Sequence, residues 1–561
     1  MSRKTSPFLT LLLLSALVIP AKTQGQNART NTGVQAPQQR QTLRAANAQQ
    51  RPGLTQRGGA VGQQPQAPAG QRVQTPAGQR AQTPASVRAP GSGGAAAATP
   101  QKESCVLRSS HRVGSADVVE VTMEASGEVL QTNAEGKTER AAMEVVAGFK
   151  YEERFEDYSP SGQLRTIRRY EQAGLKRKLG ASVVRPLLDS SRKYVVSEFD
   201  GKKTRMYSTG GPMKDEQYAL VSELPFNTTI LDRLLPNREV KLGEDWQLPN
   251  ELVVALLGVD AIENNTLHLT LTSVSDSFAE VELYQIGEKD AQGNETPSTL
   301  ACASEGASLG LDLEGKFQFD LKANRITWFG VNIDERRSES VATPGLKWSA
   351  TIKINIAPLE APEKLTDDVI APFKSPTPEQ LMLYYNAHRG PWKFQHSRKW
   401  KLIEDGDKIT SMCYLDGGEA VAQCNIISNG KIELDSKPTI NGYKEEIQKG
   451  LGERFAEFKQ EASYEGPGEV SIYYVVADGS YDELPFRWIY YLITDKEGNQ
   501  ATIMFELRAD LIDKYDDSGN EIVESFRLVP RSTSGLRETL ENAESAKSDA
   551  TPKASGINAT K

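Results

Sequence analysis

One stretch of the sequence alternates aromatic or charged residues with polar ones in a way that could build a binding face. Every second position is occupied by Trp392, Phe394, His396, Arg398 and Trp400. In a β-strand such residues share one face of the sheet. A histidine and an arginine among aromatic rings can bind a ligand through hydrogen bonds and cation–π contacts, or can only support the sheet. We therefore name His396, Arg398, Trp392 and Trp400 as candidate binding residues, with both interpretations open.

The motifs that would indicate catalysis or a metal site are incomplete. Gly306-Ala-Ser308-Leu-Gly310 matches the G-x-S-x-G pattern of a nucleophile elbow, which needs a strand, a tight turn and then a helix. The residues after Ser308 alternate as a strand instead. No HExxH motif occurs and the four histidines lie far apart in the sequence, so no metal site is predicted. We predict no catalytic residue and no cofactor, and hence a protein that is not an enzyme.

The four cysteines include one pair that could form a disulfide. No CxxC pair occurs, which argues against a zinc ribbon or a thioredoxin-like redox site. Cys413 and Cys424 lie on opposite arms of an expected β-hairpin. A turn centred between Gly418 and Glu419 makes the two cysteines face each other, whereas a turn at Gly417-Gly418 does not. The choice between a disulfide and two buried thiols therefore stays open.

Charge is unevenly distributed along the 561 residues. The chain carries 66 Lys and Arg against 74 Asp and Glu, a balance that excludes a polytopic membrane protein, a fibrous repeat and a wholly disordered chain. Residues 1–100 contain 11 Lys and Arg and no acidic residue, so a basic segment precedes an acidic body. No aromatic residue is interleaved with these arginines for base stacking, so nucleic acid is not an expected partner.

The first residues have the pattern of a secretory signal peptide. Arg3 and Lys4 precede an apolar stretch over residues 8–19, and small and polar residues follow up to Gly25. The apolar stretch is shorter than the roughly 20 residues that a membrane-spanning helix needs. We predict a signal peptide at residues 1–24, export to the periplasm or cell envelope, and no transmembrane span in the mature chain.

Composition and periodicity divide the rest of the chain. The segment before residue 103 is rich in Gln, Ala, Pro and Arg and nearly free of large apolar side chains, which predicts disorder. The expected divisions are a disordered basic segment at 25–102, a β-rich domain at 103–360, a Pro-rich linker at 361–378, an α/β domain at 379–531 and a disordered tail at 532–561.

The predicted fold class is α+β. Short alternating runs such as 278–286 predict an antiparallel sheet or half-barrel in the first domain, and a denser apolar run at 250–257 predicts one of its short helices. In the second domain, five apolar residues at helical spacing predict an amphipathic helix that lies on an antiparallel sheet. These residues are Tyr443, Ile447, Leu451, Phe455 and Phe458.

Five motifs carry a resemblance to a known family. They are Trp392–Trp400, Ala422–Asn425, Leu484–Leu492, Leu231–Pro236 and Val240–Trp246. They resemble motifs of an uncharacterised family of exported planctomycete proteins, over roughly residues 105–530, and the C-terminal region of that family resembles the PsbP-like fold of the photosystem II extrinsic subunit. The resemblance implies a PsbP-like antiparallel sheet packed with helices at 379–531 and an envelope location. PsbP-like domains act mostly by binding proteins.

The predicted function is therefore that of an exported envelope protein that binds and does not catalyse. Its expected partner is an envelope protein or an apolar small molecule. The alternative is a periplasmic carrier of a lipid or another apolar ligand, because the strands and short helices of 103–360 could curl around a cavity as in LolA-type half-barrels. An apolar cavity favours the carrier, and an exposed aromatic patch favours the binding of a protein.

Overall fold

The computed structural model describes most of the chain between residues 102 and 529. Gaps within this range are 133–136, 160–161, 288–298, 305, 341–342, 374, 388–389, 407, 434–436 and 467. The predicted signal peptide, the C-terminal tail and the basic segment up to residue 101 lie outside the described residues.

Antiparallel strands, many of them long, make up the first part of the chain, residues 102–359. They are β1 Ser104–Leu107, β2 Ala116–Thr132, β3 Thr138–Tyr158, β4 Leu164–Leu179, β5 Ser182–Val184, β6 Tyr194–Phe199, β7 Thr204–Ser208, β8 Arg238–Lys241, β9 Asp245–Gln247, β10 Ala261–Asn264, β11 Leu267–Val274, β12 Phe278–Gln285, β13 Leu300–Ser304, β14 Ala307–Asp320, β15 Arg325–Arg337 and β16 Gly345–Leu359. The helices are α1 Asp215–Ser222, α2 Thr228–Leu231 and α3 Asn250–Leu257, with short 3-10 helices at Ser190–Arg192 and Asp232–Leu234.

Fourteen of these strands form one sheet, which we call the large sheet. Its main path runs β7-β6-β4-β3-β2-β16-β15-β14-β12-β11-β9, with β5 paired to β4 and β10 joined through β13 to β14. β1 and β8 form a separate pair. The ladder between β2 and β16 runs from Ala116 opposite Leu359 to Leu130 opposite Gly345. β2 and the last strand of this part, β16, therefore meet at the centre of the large sheet.

Period-two alternation explains why these segments are strands with one buried face. In β2, Val119 and Val121 are buried, and Glu120 between them is exposed. The strand also needs a glycine at one position. A Cβ atom on Gly127 would lie 2.2 Å from the backbone oxygen of Lys347 on β16, so any side chain there would force the two strands apart.

The apolar face of the large sheet and the three helices of the first part share one core. It includes Leu220 of α1, Ile230 of α2, Val253 of α3, and Phe317 and Phe329 of the sheet. All five side chains are fully buried. Burial of a side chain of this size stabilises the fold by about 1.5–3 kcal/mol. Packing against the sheet, and not intrinsic helix propensity, therefore holds these short helices.

The second part, residues 361–529, contains two smaller antiparallel sheets. Its strands are β17 Leu383–Asn386, β18 Trp392–His396, β19 Trp400–Asp405, β20 Ile409–Asp416, β21 Glu419–Lys431, β22 Phe455–Gly466, β23 Val470–Tyr481, β24 Leu484–Thr494, β25 Asn499–Arg508 and β26 Arg527–Leu528. Its helices are α4 Asp367–Ile370, α5 Pro378–Leu381, α6 Ile440–Leu451, α7 Ile512–Tyr515 and α8 Asn520–Ser525, with 3-10 helices at Gly452–Arg454 and Ala509–Leu511. One sheet has the order β17-β18-β26, and the other β19-β20-β21-β25-β24-β23-β22.

The seven-stranded sheet is covered on both faces. Tyr443, Ile447 and Leu451 of α6 pack with Val475 and Trp488 of the sheet in one core cluster. A second cluster joins this sheet to β18, α7 and α8. Its members include Trp392, Trp400, Ile503, Tyr515 and Ile522.

The α+β fold class predicted from the sequence is wrong, because the described chain is mostly β with large antiparallel sheets. Only α1, α3 and α6 reach eight residues among the described helices. The predicted helix from Tyr443 to Phe458 ends at Leu451, since Gly452 takes a positive φ of 56°, and Phe455 already begins β22. In the described part of the chain, no helix combines the length and apolar character needed to cross a membrane.

The Pro-rich segment after β16 is anchored to the large sheet. The Glu152 carboxylate of β3 accepts hydrogen bonds from the backbone N–H groups of residues 363–365 at 2.8–3.0 Å. Leu365 and Ile370 are buried and pack in a cluster with Ile167, Val196 and other residues of the first part. The prediction that 361–378 is a linker between separately folding domains stays a prediction, and these contacts are what an isolated second part would lose.

Candidate functional site

The structure divides the alternating stretch between two sheets. β18 ends at His396 and pairs with β17 and β26, whereas β19 begins at Trp400 and pairs with β20. The backbone N–H of Trp400 donates to the oxygen of Ser397, which closes a turn between the strands. The prediction of one continuous strand is therefore wrong, and Arg398 lies in the turn. The alternation persists in the sequence because both strands bury their aromatic side chains.

The two tryptophans support the core. Both are fully buried. The indole N–H of Trp392 donates to Oγ1 of Thr410 at 3.1 Å, and that of Trp400 donates to the backbone oxygen of Ser518 at 2.8 Å. Each ring is thus packed and hydrogen-bonded inside the protein, so the supporting interpretation describes Trp392 and Trp400.

His396 connects the second part to helix α1 of the first. Its Nδ1 lies 2.9 Å from the backbone oxygen of Ser397, and its Nε2 lies 3.1 Å from Oδ2 of Asp215, the first residue of α1. Both partners are acceptors, so both ring nitrogens must donate, which requires the imidazolium form. Burial opposes this charge, but the Asp215 carboxylate outweighs it and raises the pKa of His396 above its ordinary value.

Arg398 contacts the same helix. Its guanidinium lies over the ring of Tyr218, 4.4 Å from the ring centroid, and its Nη1 donates to the Tyr218 hydroxyl at 3.4 Å. Asp215 and Tyr218 are three positions apart, so they share one face of α1. The structure therefore brings His396 and Arg398 together on this helix face and places Trp392 and Trp400 in the core behind them.

One edge of the Arg398 guanidinium has no partner. Nε and Nη2 are buried and make no hydrogen bond within the described chain. A buried donor without an acceptor costs about 1–3 kcal/mol, and more when it is charged. Most buried polar groups of proteins have a partner, so we take Arg398, which also lines a cavity, as the centre of the candidate site.

Arg398 lines a cavity of about 540 Å³ between the two parts, which we call the interface cleft. The first part contributes the ends of β3 and β4, the β6–β7 hairpin, Tyr218 and Asp260, and the second contributes Arg398, Lys399, Lys401, Leu415 and Gly418. Six basic residues line the cleft against four acidic ones. The basic residues are Arg165, Lys203, Arg205, Arg398, Lys399 and Lys401.

Several of the other basic groups in the cleft already have partners. Glu198 accepts hydrogen bonds from Arg165 and Arg205, at 3.2 and 2.5 Å. Burial favours the neutral acid, but these donors and Tyr207 hold the pKa of Glu198 below its ordinary value. Lys399 pairs with Asp416 at 2.8 Å.

Among the basic groups of the cleft, Lys203 has a lowered pKa, so its surroundings disfavour the protonated amine. Its partial burial lowers its pKa, although Asp260 and Asp200 act in the opposite direction. A negative charge brought close to Lys203 would favour its protonated form and so strengthen the positive potential of this wall.

The sequence did not reveal Asp215 and Tyr218. Asp215 and Glu216 before the apolar run Tyr218-Ala-Leu-Val are a helix-start signal that could have located α1. Their proximity to the turn could not be inferred, because Asp215 and His396 are 181 positions apart in the chain.

The hairpin register decides the disulfide question. Asp416 pairs with Glu419, so the turn is Gly417-Gly418, and both glycines take positive φ. Cys413 then lies opposite Gln423, and Cys424 lies opposite Met412. Since facing residues share a face of the sheet, Cys413 and Cys424 point to opposite faces and are free thiols.

We expect Cys413 and Cys424 to be unreactive in the native protein and fully reactive after unfolding without reductant. Both are buried, and burial raises the pKa of each thiol, that of Cys413 to about 12. Intact mass after alkylation, in buffer and in guanidinium chloride, measures this. A disulfide would instead appear as two sites that alkylate in denaturant only after reduction.

Comparison with known proteins adds little to this geometry. No protein-family model matches the chain, and a comparison with curated proteins finds no match. Among solved structures, cyanobacterial PsbP (CyanoP) from Synechocystis sp. PCC 6803 is similar over 28% of this chain and 99% of its own, at 16% identity and a TM-score of 0.21. Lipovitellin is similar over 46% of this chain, at 8% identity and a TM-score of 0.25, and the match spans 26% of the lipovitellin chain. Likenesses this weak carry no argument about function.

Proposed function

We propose that this chain is an exported, non-catalytic binding protein of the cell envelope, and that its ligand is a polar small molecule held in the interface cleft. The basic, apolar and then small residues at positions 3–25 support export. The resemblance to exported planctomycete proteins supports the same location.

One observation carries the proposal. The unpaired Nε and Nη2 of Arg398 belong to a residue that lines a cavity of ligand size. Pockets that bind small molecules typically measure about 300–1,000 Å³ and contain a few polar groups that fix the ligand. Arg398 thus joins a cavity of such a volume to a hydrogen-bonding edge, now closed to water, that the described protein does not satisfy.

The lining of the cleft favours a polar ligand over the apolar one expected from the sequence. Its apolar side chains include Leu164, Phe199 and Leu415, against ten charged residues. Burial of an apolar molecule there would remove water from charged groups without replacing their hydrogen bonds. The cleft therefore suits a molecule that carries a charged or polar group beside an apolar part.

We expect native mass spectrometry of the mature chain, purified from its own envelope without detergent, to show a bound small molecule. Arg398→Met should lose this molecule, because the variant keeps the side-chain volume but removes the hydrogen-bonding edge. Arg140→Met is the matched control, since Arg140 is exposed on β3 away from the cleft. If the native chain, Arg398→Met and Arg140→Met all retained the bound molecule equally, its location in the interface cleft would be refuted. If the native chain carried no bound molecule, the proposed function would be refuted.

A further inference from the structure

We propose that the ligand of the interface cleft is an organic anion with a carboxylate or phosphate group, and that Arg398 binds two oxygens of this group through Nε and Nη2. The inference rests on the binding function proposed above and specifies its ligand class. It follows from which edge of the guanidinium is free, from what the neighbouring cations contact, and from the size of the cavity.

The free edge has the geometry of a two-oxygen receptor. In a guanidinium, one N–H of Nη2 lies parallel to the N–H of Nε, so this edge donates two parallel hydrogen bonds. Carboxylate and phosphate groups present two oxygens at the matching spacing. Both donors of this edge in Arg398 are without a partner. A ligand with a single acceptor would satisfy only one of them.

The contact with Tyr218 holds this edge in place. The ring of Tyr218 covers one face of the guanidinium, and its hydroxyl accepts from Nη1. A guanidinium fixed on one face and at one nitrogen loses little further freedom when its remaining edge binds a ligand. The contacts with Tyr218 therefore restrain the guanidinium more than the side chain of a fully exposed arginine is restrained.

The other two arginines of the cleft do not offer the same receptor. Arg165 and Arg205 both donate to Glu198, and Arg165 also donates to the backbone oxygen of Phe373 at 2.7 Å. An incoming anion would have to compete with the Glu198 carboxylate for them. At the Nε–Nη2 edge of Arg398 it competes with no described acceptor, so the anionic group is directed to this edge.

The volume of the cleft indicates that the anion is part of a larger molecule. A cavity of about 540 Å³ greatly exceeds a bare phosphate or acetate ion. Nε and Nη2 are closed to water, so the surrounding side chains must move before the ligand reaches them. The rest of the ligand then occupies the cleft beside Lys203 and Lys401.

The test uses isothermal titration calorimetry of the mature chain with two anions, succinate and glycerol 3-phosphate, and their neutral counterparts, succinamide and glycerol. We expect at least one anion to bind and both neutral compounds to fail. Arg398→Lys should weaken the binding by about tenfold or more, because it keeps the charge and loses the paired donors. Arg140→Lys, the same change at an exposed arginine of β3 outside the cleft, should alter it by less than about threefold.

Arg398→Met adds a readout that a structural residue would not give. Because Nε and Nη2 of Arg398 are buried without an acceptor, removal of this guanidinium should leave the melting temperature of the ligand-free protein little changed, while anion binding is lost. A large fall in the melting temperature would show that Arg398 serves the fold, and would overturn the inference.

The outcomes separate the inference from the function on which it rests. Equal anion affinity in Arg398→Lys, or equal binding of the neutral compounds, overturns the anion receptor and leaves a binding cleft. If neither anion binds and native mass spectrometry finds a resident ligand without an acidic group, the inference about an anion is overturned and the binding function stands. Failure of all four compounds together with a bare native mass overturns both.

Discussion

Arg168→Met is expected to lower the free energy of unfolding by about 3–5 kcal/mol, as measured by urea denaturation. Arg168 on β4 and Glu153 on β3 are almost fully buried, with Nε and Oε1 2.9 Å apart. Nη2 of Arg168 also donates to the hydroxyls of Thr228 and Thr229 at 2.8 and 3.0 Å. These bonds hold α2 on the sheet. Methionine would leave the Glu153 carboxylate buried without its counter-charge.

Two variants make this expectation specific. Lys178→Met removes the cation of the exposed pair between Lys178 and Glu144 on the same two strands, and should change stability by less than about 0.5 kcal/mol. The double variant Glu153→Gln/Arg168→Met should regain part of the loss, because the neutral amide needs no counter-charge. If Arg168→Met and Lys178→Met proved equally stable, the buried pair would not hold α2.

Local patterns predicted individual elements well where neighbours in the sequence are also neighbours in space. The alternation at 278–286 corresponds to β12, Phe278–Gln285, and the apolar run at 250–257 corresponds to α3, Asn250–Leu257. In β12, Ala279, Val281 and Leu283 are buried on one face. Such periodicity follows from the backbone geometry of the element itself, so a single sequence reveals it.

Periodicity failed where a turn or a glycine interrupts the element without disturbing the pattern. The alternation from Trp392 to Trp400 continues through a turn that distant residues stabilise. Glu521 accepts a hydrogen bond from the backbone N–H of Ser397 at 3.1 Å, and Lys399 pairs with Asp416. These contacts cross 124 and 17 positions of the chain, which local spacing cannot report.

The site was only half visible in the sequence for the same reason. The residue types drew attention to His396 and Arg398, but their roles depend on Asp215 and Tyr218, which a different part of the chain supplies. Only the packing of α1 against the turn shows that His396 is paired on both nitrogens while Arg398 keeps one free edge.

Raising the pH from 7 to 10 is expected to destabilise the protein through His111. This buried imidazole contacts Asp232 through Nδ1 and Asp117 through Nε2, the latter at 2.8 Å. Burial disfavours its charge, but the two carboxylates outweigh this and raise the pKa of His111 to about 9. An unfolded histidine titrates near 6.5. The stabilisation is therefore fully present below about pH 6.5 and is lost as the pH rises through about 9.

The size of this effect follows from the difference between the two pKa values. It corresponds to a loss on the order of 3 kcal/mol, seen as a falling free energy of unfolding in urea titrations at successive pH values. His111→Gln should start less stable at pH 7 and show a smaller fall, since glutamine has no proton to lose. His268→Gln, which alters a histidine outside this cluster, should keep the fall of the native chain. Parallel pH profiles for the native chain and His111→Gln would show that the bridge between β2 and the 3-10 helix at Asp232–Leu234 does not depend on the imidazolium.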